Sequence, residues 1–250
     1  MIVASQTSFG KTEPFELQVA RGLIPHHSLV NVFGYQAAVG TGAPVLVWEN
    51  AAAYVYPTAA TIMLLYSTSA ADTNVNVTIS GLDANYQPIS ESLTLTNGTT
   101  GVSTAKAYFR INGIICNDAN FALPVGDLLL ANQAKTVTYA KIIAGINKNQ
   151  AALYTVPAGY TFYLTRVDAY SNEAGGGLNF SNYQVYTKNN ATGQSFTLLQ
   201  SPFTSRYEAR RVVPFPYTEK TDIQWQVSAG TATSPIGVIV EGILIRNRID

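Results

Sequence analysis

The sequence predicts an all-β chain of antiparallel β-sandwich or jelly-roll architecture, organised as two tandem β-domains behind an extended N-terminal arm. Three observations carry this expectation. Apolar and polar residues alternate with period two through most of the chain, Gly, Pro and Asn punctuate those runs at short intervals, and helical periodicity is nearly absent. A chain of 250 residues is long enough to bury one large core or two ordinary ones.

In chain order, the first ~20 residues mix Ser, Thr, Gly, Pro and charge without a sustained period, so residues 1–25 read as an extended arm. Residues 26–140 are expected to form the first sandwich domain. Within it, VGTGAPVLVWEN and AAAYVYPTAATIMLLYSTSA supply short apolar and aromatic strands, the second broken at Pro57. In NVNVTISGLDANYQPISESLTLT, Val75, Val77 and Ile79 alternate with Asn76, Thr78 and Ser80. Ile89, Leu93 and Leu95 resume the alternation beyond a turn marked by Gly81, Asp83, Asn85 and Pro88. Asn97-Gly98 marks a second tight turn, and KAYFRINGIICND follows as another strand. The best helical candidate, TYAKIIAGINKN, contains Gly145 and reads equally well as a strand.

The pattern restarts after Asn147-Lys148-Asn149-Gln150, and residues 147–250 are expected to form a second, jelly-roll-like domain. Strand, Pro157-Ala158-Gly159 turn and strand open it, with Tyr160, Phe162 and Leu164 alternating against Thr161, Tyr163 and Thr165. Further strands follow at LNFSNYQVYTK, SFTLLQSP, YEARRVVPFPY, TDIQWQVSAG and IGVIVEGILIRN.

Composition narrows the function classes. Charged residues make up only 12% of the chain, about half of what is usual for soluble domains, while 47% are hydrophobic. Much of the surface is therefore hydroxyl, amide and alanine, which is cheap to desolvate against copies of the chain or a partner. Fifteen basic and fifteen acidic side chains cancel, so no long-range field favours nucleic acid or an anionic membrane as a partner. The opening residues lack the pattern of a signal peptide and no apolar run approaches the ~20 residues of a membrane span, so cytoplasmic synthesis is expected. The single cysteine, Cys116, reads as a buried structural thiol.

No catalytic, cofactor or metal constellation stands out, and a non-enzymatic role is expected. His26 and His27 are the only histidines, and neighbours on an extended segment point to opposite sides, which makes a poor metal pair. Asp83, Glu91, Asp168, Glu173, Glu208 and Asp222 lie in turns or on strand faces without forming a pair suited to glycoside cleavage. Tyr154, Tyr160, Tyr163, Tyr170, Tyr183 and Tyr186 suit either a sugar-stacking platform or, preferentially, core and interface packing. The densest charge cluster is Arg206, Glu208, Arg210 and Arg211 on one strand-like segment. It reads as a salt-linked or guarded edge, or as a polar anchor at a subunit boundary, with Arg206, Arg210 and Arg211 the candidate interface residues.

Several words of the sequence resemble structural proteins of tailed bacteriophages, particularly marine and cyanobacterial phages. They are PFELQVARG at 14–22, VTISGLDANYQPISESLTL at 77–95, YFRINGI at 108–114, ALYTVPAGYTFYLTRV at 152–167 and the closing EKTDIQWQVSAG and VIVEGILI. The resemblance implies a virion component with no reaction to perform: a capsid decoration (cement) protein on the capsid surface, seated as a homotrimer on the major capsid protein. Under that reading the arm orders only on the shell, avidity over many copies holds it, and deleting residues 2–20 is expected to weaken particle association while leaving a folded oligomer. Two other classes stay open. A tail, baseplate or fibre protein would touch a host glycan, with SNEAGGGLNF the candidate loop, and a carbohydrate-active enzyme or lectin would turn over or bind a polysaccharide.

Overall fold

Period-two burial organises the molecule. In β4 (residues 75–82), Val75, Val77 and Ile79 are buried while their polar neighbours are half-exposed, and in β12 (residues 181–189) Tyr183, Val185 and Thr187 do the same. The structure is a computed structural model that describes residues 13–50, 52–117, 123–171, 180–230 and 232–247. It is 56% strand and 3% helix, an all-β antiparallel sandwich.

The first half contains α1 (Phe15–Ala20), β1 (His27–Val39), β2 (Val45–Leu46), β3 (Leu64–Ser67), β4 (Val75–Leu82), β5 (Pro88–Leu95), β6 (Val102–Ser103), β7 (Arg110–Cys116), β8 (Leu128–Ala131) and β9 (Thr138–Ile142). The second half contains β10 (Leu153–Thr155), β11 (Tyr160–Ser171), β12 (Ser181–Asn189), β13 (Ser195–Phe203), β14 (Arg206–Tyr217), β15 (Thr221–Ser228) and β16 (Ser234–Arg246).

Two sheets form the larger unit, in the orders β1-β16-β11-β14 and β10-β15-β12-β13, with β2 also on β15. The pairing is concentric about the β12–β13 hairpin: β12 with β13, β11 with β14, β10 and β2 with β15, and β1 with β16. A chain folded double in this way and rolled into two sheets is a jelly roll. At the hairpin, the Asn189 side-chain carbonyl accepts the amides of Ala191 and Thr192, and Gly193 supplies the left-handed conformation. The core between the sheets holds Trp225, Tyr183, Phe162, Val238 and Val240.

The second strand of this roll is split. Leu46 pairs with Gln226 and Leu153 with Gln224, while Val47 and Ala152 bond to each other and to Trp225 in between. The chain therefore leaves at Val47 and returns at Ala152, in register. Gly34 of β1 makes this join possible: a Cβ there would lie 2.7 Å from the Val47 carbonyl oxygen and overlap the Ala152 methyl.

The excursion folds as a second sandwich, with sheets β6-β3-β8-β9 and β5-β4-β7 closed over Met63, Leu65, Ile79, Tyr108, Leu128 and Leu130. It is tied to the roll by Arg110 of β7, which reaches Asp222 of β15 with both ends of its guanidinium at 2.9 and 3.0 Å. Asn112 beside it exchanges two hydrogen bonds with the backbone of Thr155.

Three expectations change. Residues 26–140 do not form one unit, because β1 and β2 close the C-terminal roll by pairing with β16 and β15. The extended arm gains α1, whose Leu23-to-Gln18 and Gly22-to-Val19 hydrogen bonds, with Gly22 left-handed, make a Schellman stop. Residues 1–12 of the arm lie outside the described residues. TYAKIIAGINKN resolves into β9 and a following loop.

Candidate functional site

Among the described residues strand β14 is an open edge, paired with β11 on one side only. Arg206, Glu208 and Arg210 alternate onto the outer face, opposite Tyr170, Asp168 and Arg166 of β11. Three cations and three carboxylates interlock there. Arg166, from the middle of the sheet, contacts Asp168 and lies 3.8 Å from both Glu208 and Glu241, Arg206 meets Glu208 at 2.9 Å, and Arg210 meets it at 3.0 Å. Asp168 is buried beneath Arg166 and Arg206. The interior residue between them, Tyr207, stacks on Tyr183 at 4.8 Å.

The pairing then breaks. Arg166 faces Arg210 but Leu164 faces Phe215, so one residue of β11 is matched by Arg211, Val212, Val213 and Pro214. This bulge throws Val212 fully into solvent (100% exposed) and leaves Val213 80% exposed. Arg211 lies on the bulge over the Phe215 ring at 5.5 Å, with no carboxylate partner among the described residues. Of the three arginines singled out from the sequence, Arg206 and Arg210 thus share a face, as residues four apart in a strand must, while Arg211, the next residue along, falls on the other side at the start of the bulge.

The neighbouring edge of the other sheet behaves alike. Val185 pairs with Leu199 and Tyr186 with Thr197, leaving Leu198 as the extra, exposed residue of β13, beside exposed Phe196. Residues 204 and 205 connect β13 directly to β14, so both bulged edges lie on the same side of the roll. Bulges together with Pro202, Pro214 and Pro216 block the addition of another strand by backbone pairing. What this side offers is side-chain contact: apolar knobs flanked by guanidinium groups.

The other candidates have structural employment. Asp83 caps its own turn by accepting the amides of Asn85 and Gln87. Glu91 accepts those of Ala105 and Lys106, and Asp222 holds Arg110. Tyr154 and Tyr183 are core residues, Tyr160, Tyr163 and Tyr186 are half-buried, and Tyr170 is exposed. Cys116 is buried in the core of the inserted sandwich. His27 bonds the Pro25 carbonyl oxygen at 2.8 Å and meets the Phe15 ring edge-on. Among the described residues no three His, Cys, Asp or Glu side chains are grouped to hold a metal. Most of the SNEAGGGLNF loop, with Glu173, lies outside the described residues.

No family model matches the chain, and no curated protein matches it. Among solved structures the chain is similar to one described as "Structure of infectious bursal disease virus Gt strain", at 9% identity over 93% of this chain and 77% of the other, with a TM-score of 0.17. A likeness of that size carries no argument about this protein.

Proposed function

We propose that this protein is a non-enzymatic structural subunit of a tailed-phage-type virion, decorating the capsid as a cement protein that associates with itself, as a trimer, and with the major capsid protein. The observation that carries the reading is the bulged β13–β14 side, where Leu198, Phe196, Val212 and Val213 stand in solvent next to Arg210 and Arg211. Exposed apolar side chains grouped with arginine are the composition of a subunit contact. The bulges and prolines, by refusing strand addition, confine association to a shape-specific side-chain fit. A surface otherwise poor in charge suits repeated packing against neighbours.

The test is the copy number of this chain in purified particles, quantified against the major capsid protein, together with its mass in solution by light scattering. A trimer in solution and hundreds of copies in simple ratio to the shell are the expected outcome. A dozen copies or fewer would move the protein to the tail or baseplate, and absence from particles would overturn the reading.

A further inference from the structure

A cleft of about 430 Å³ lies on the outer face of β1, β16 and β11, walled on its far side by the segment Ile146–Gln150 on which the chain returns from the inserted sandwich. Its size is that of a small-ligand site, and it sits where two folded units meet.

The sheet builds its floor from a missing side chain. Gly237 stands between Tyr35 of β1 and Tyr170 of β11, its partners on either side. Strands lie about 4.8 Å apart and their side chains stand roughly perpendicular to the sheet, so Gly237 leaves a slot one residue wide beside the Tyr170 ring. In the adjacent row Phe33 and Ile239 continue the apolar wall. Phe33 and Tyr170 are 40% and 37% exposed, so both rings are open to a ligand.

Opposite them stands Lys148. Its ammonium lies 5.1 Å from the centre of the Phe33 ring, it is half-buried, and no carboxylate pairs with it among the described residues. Burial lowers its pKa. A partly desolvated cation without a counter-ion is a standing electrostatic cost that an incoming anion relieves. Asn147 and Gln150 flank it with neutral amides, which match hydroxyl groups.

We propose that this cleft binds a carboxylated saccharide, with the carboxylate on Lys148, the sugar ring against Tyr170 and Phe33, and hydroxyls on Asn147 and Gln150. An acidic peptide fits less well. Peptides of this size gain affinity by pairing with an open strand edge, and β1 is occupied there, its Tyr35 amide bonding the Gln150 carbonyl oxygen at 3.3 Å. The inference does not depend on where the protein sits in a particle.

The full chain is titrated by saturation-transfer NMR and calorimetry with a uronic-acid disaccharide, a sialylated trisaccharide, their neutral counterparts and an Asp-Glu peptide. At least one carboxylated sugar is expected to bind, its neutral counterpart much more weakly and the peptide not at all. Lys148→Gln should weaken binding roughly tenfold to a hundredfold, the worth of one charge-assisted hydrogen bond, while Lys148→Arg retains most of it and Tyr170→Ala abolishes ring-proton saturation. Unchanged circular dichroism confirms that each variant folds. No binding by any carboxylated sugar, equal binding of neutral sugars or the peptide, or indifference to Lys148→Gln would overturn the proposal. Copy number in particles is unaffected by these variants, so this failure is distinct from failure of the structural role.

Discussion

Replacing Arg110 by methionine should destabilise the protein by about 3–5 kcal/mol, the usual cost of deleting one partner of a buried ion pair. Arg110 and Asp222 are 5% and 3% exposed, and the pair is bidentate. The guanidinium is packed among the rings of Phe109, Tyr56 and Tyr86, at 4.1, 4.6 and 5.7 Å. Methionine fills much of the same space, so the loss is chiefly that of an uncompensated carboxylate. Asp222 would keep only the neutral donors Thr155 Oγ1 and Asn190 Nδ2. Both tryptophans, Trp48 and Trp225, lie in the jelly-roll core, and the inserted sandwich has none. Urea unfolding followed by selectively excited tryptophan fluorescence therefore reports the roll alone, while far-ultraviolet circular dichroism reports both units. The two transitions should coincide in the wild type and separate in Arg110→Met. Adding Asp222→Asn removes the stranded charge and should recover most of the loss. A single-variant cost below ~1 kcal/mol, or a double variant no better than Arg110→Met, would refute the reasoning, since surface substitutions alone reach about 0.5 kcal/mol.

Other outcomes follow from the same structure. Val212→Asp with Val213→Asp should change folding stability by no more than about 0.5 kcal/mol yet abolish self-association by light scattering; retained oligomers would remove the bulge from the interface. Glu49 is pushed from 4.5 up to about 8 by burial, and its Oε2 has no hydrogen-bond partner among the described residues. Because its folded pKa is raised, the stability it contributes is full below pH 4.5 and is lost as the pH climbs through about 8. Glu49→Gln should flatten the dependence of melting temperature on pH in that window, at about 1.4 kcal/mol per unit of pKa difference removed; an unchanged profile would show that Glu49 does not titrate in this range. Gly34→Ala should cost about 1–3 kcal/mol through overpacking at the join of the split strand, measured by thermal unfolding, and a neutral result would mean that β1 can shift away.

Legibility in the sequence tracked locality. The β4–β5 hairpin and the Pro157-Ala158-Gly159 turn could be read because each is set by neighbours, with Gly159 left-handed at the turn. Strand β1 was missed because both of its faces are apolar: Val30 and Val32 point inward while Leu29, Phe33 and Tyr35 point outward, which erases the alternation. Its membership of the roll depends on pairing with β16 at the far end of the chain, and periodicity names strands but not partners. The arginine cluster was visible as composition, and alternation alone sets Arg211 apart from Arg206 and Arg210, yet the four-residue bulge that exposes Val212 is a product of pairing. Arg110 and Asp222 stand 112 residues apart, and Phe33, Lys148 and Tyr170 come from three separate stretches, so neither set leaves a local signal.

The split strand also predicts what the roll needs from its insertion. Trp48 and Ala151 pair as an antiparallel bridge, which places their backbones about 5 Å apart, the span closed by a two-residue hairpin turn. Residues 49–150 should therefore be replaceable by Asn-Gly, provided Asp222 is changed to Asn so that no carboxylate is left unpaired where Arg110 stood. The shortened chain keeps every strand of the two jelly-roll sheets and both tryptophans, and should unfold cooperatively by fluorescence. It should be less stable than the full chain, because the interdomain contacts of Arg110 and Asn112 are lost with the insertion. If it instead shows no cooperative transition, the inserted sandwich is part of the roll's folding unit, and the in-register return at Ala152 reflects mutual support between the two units.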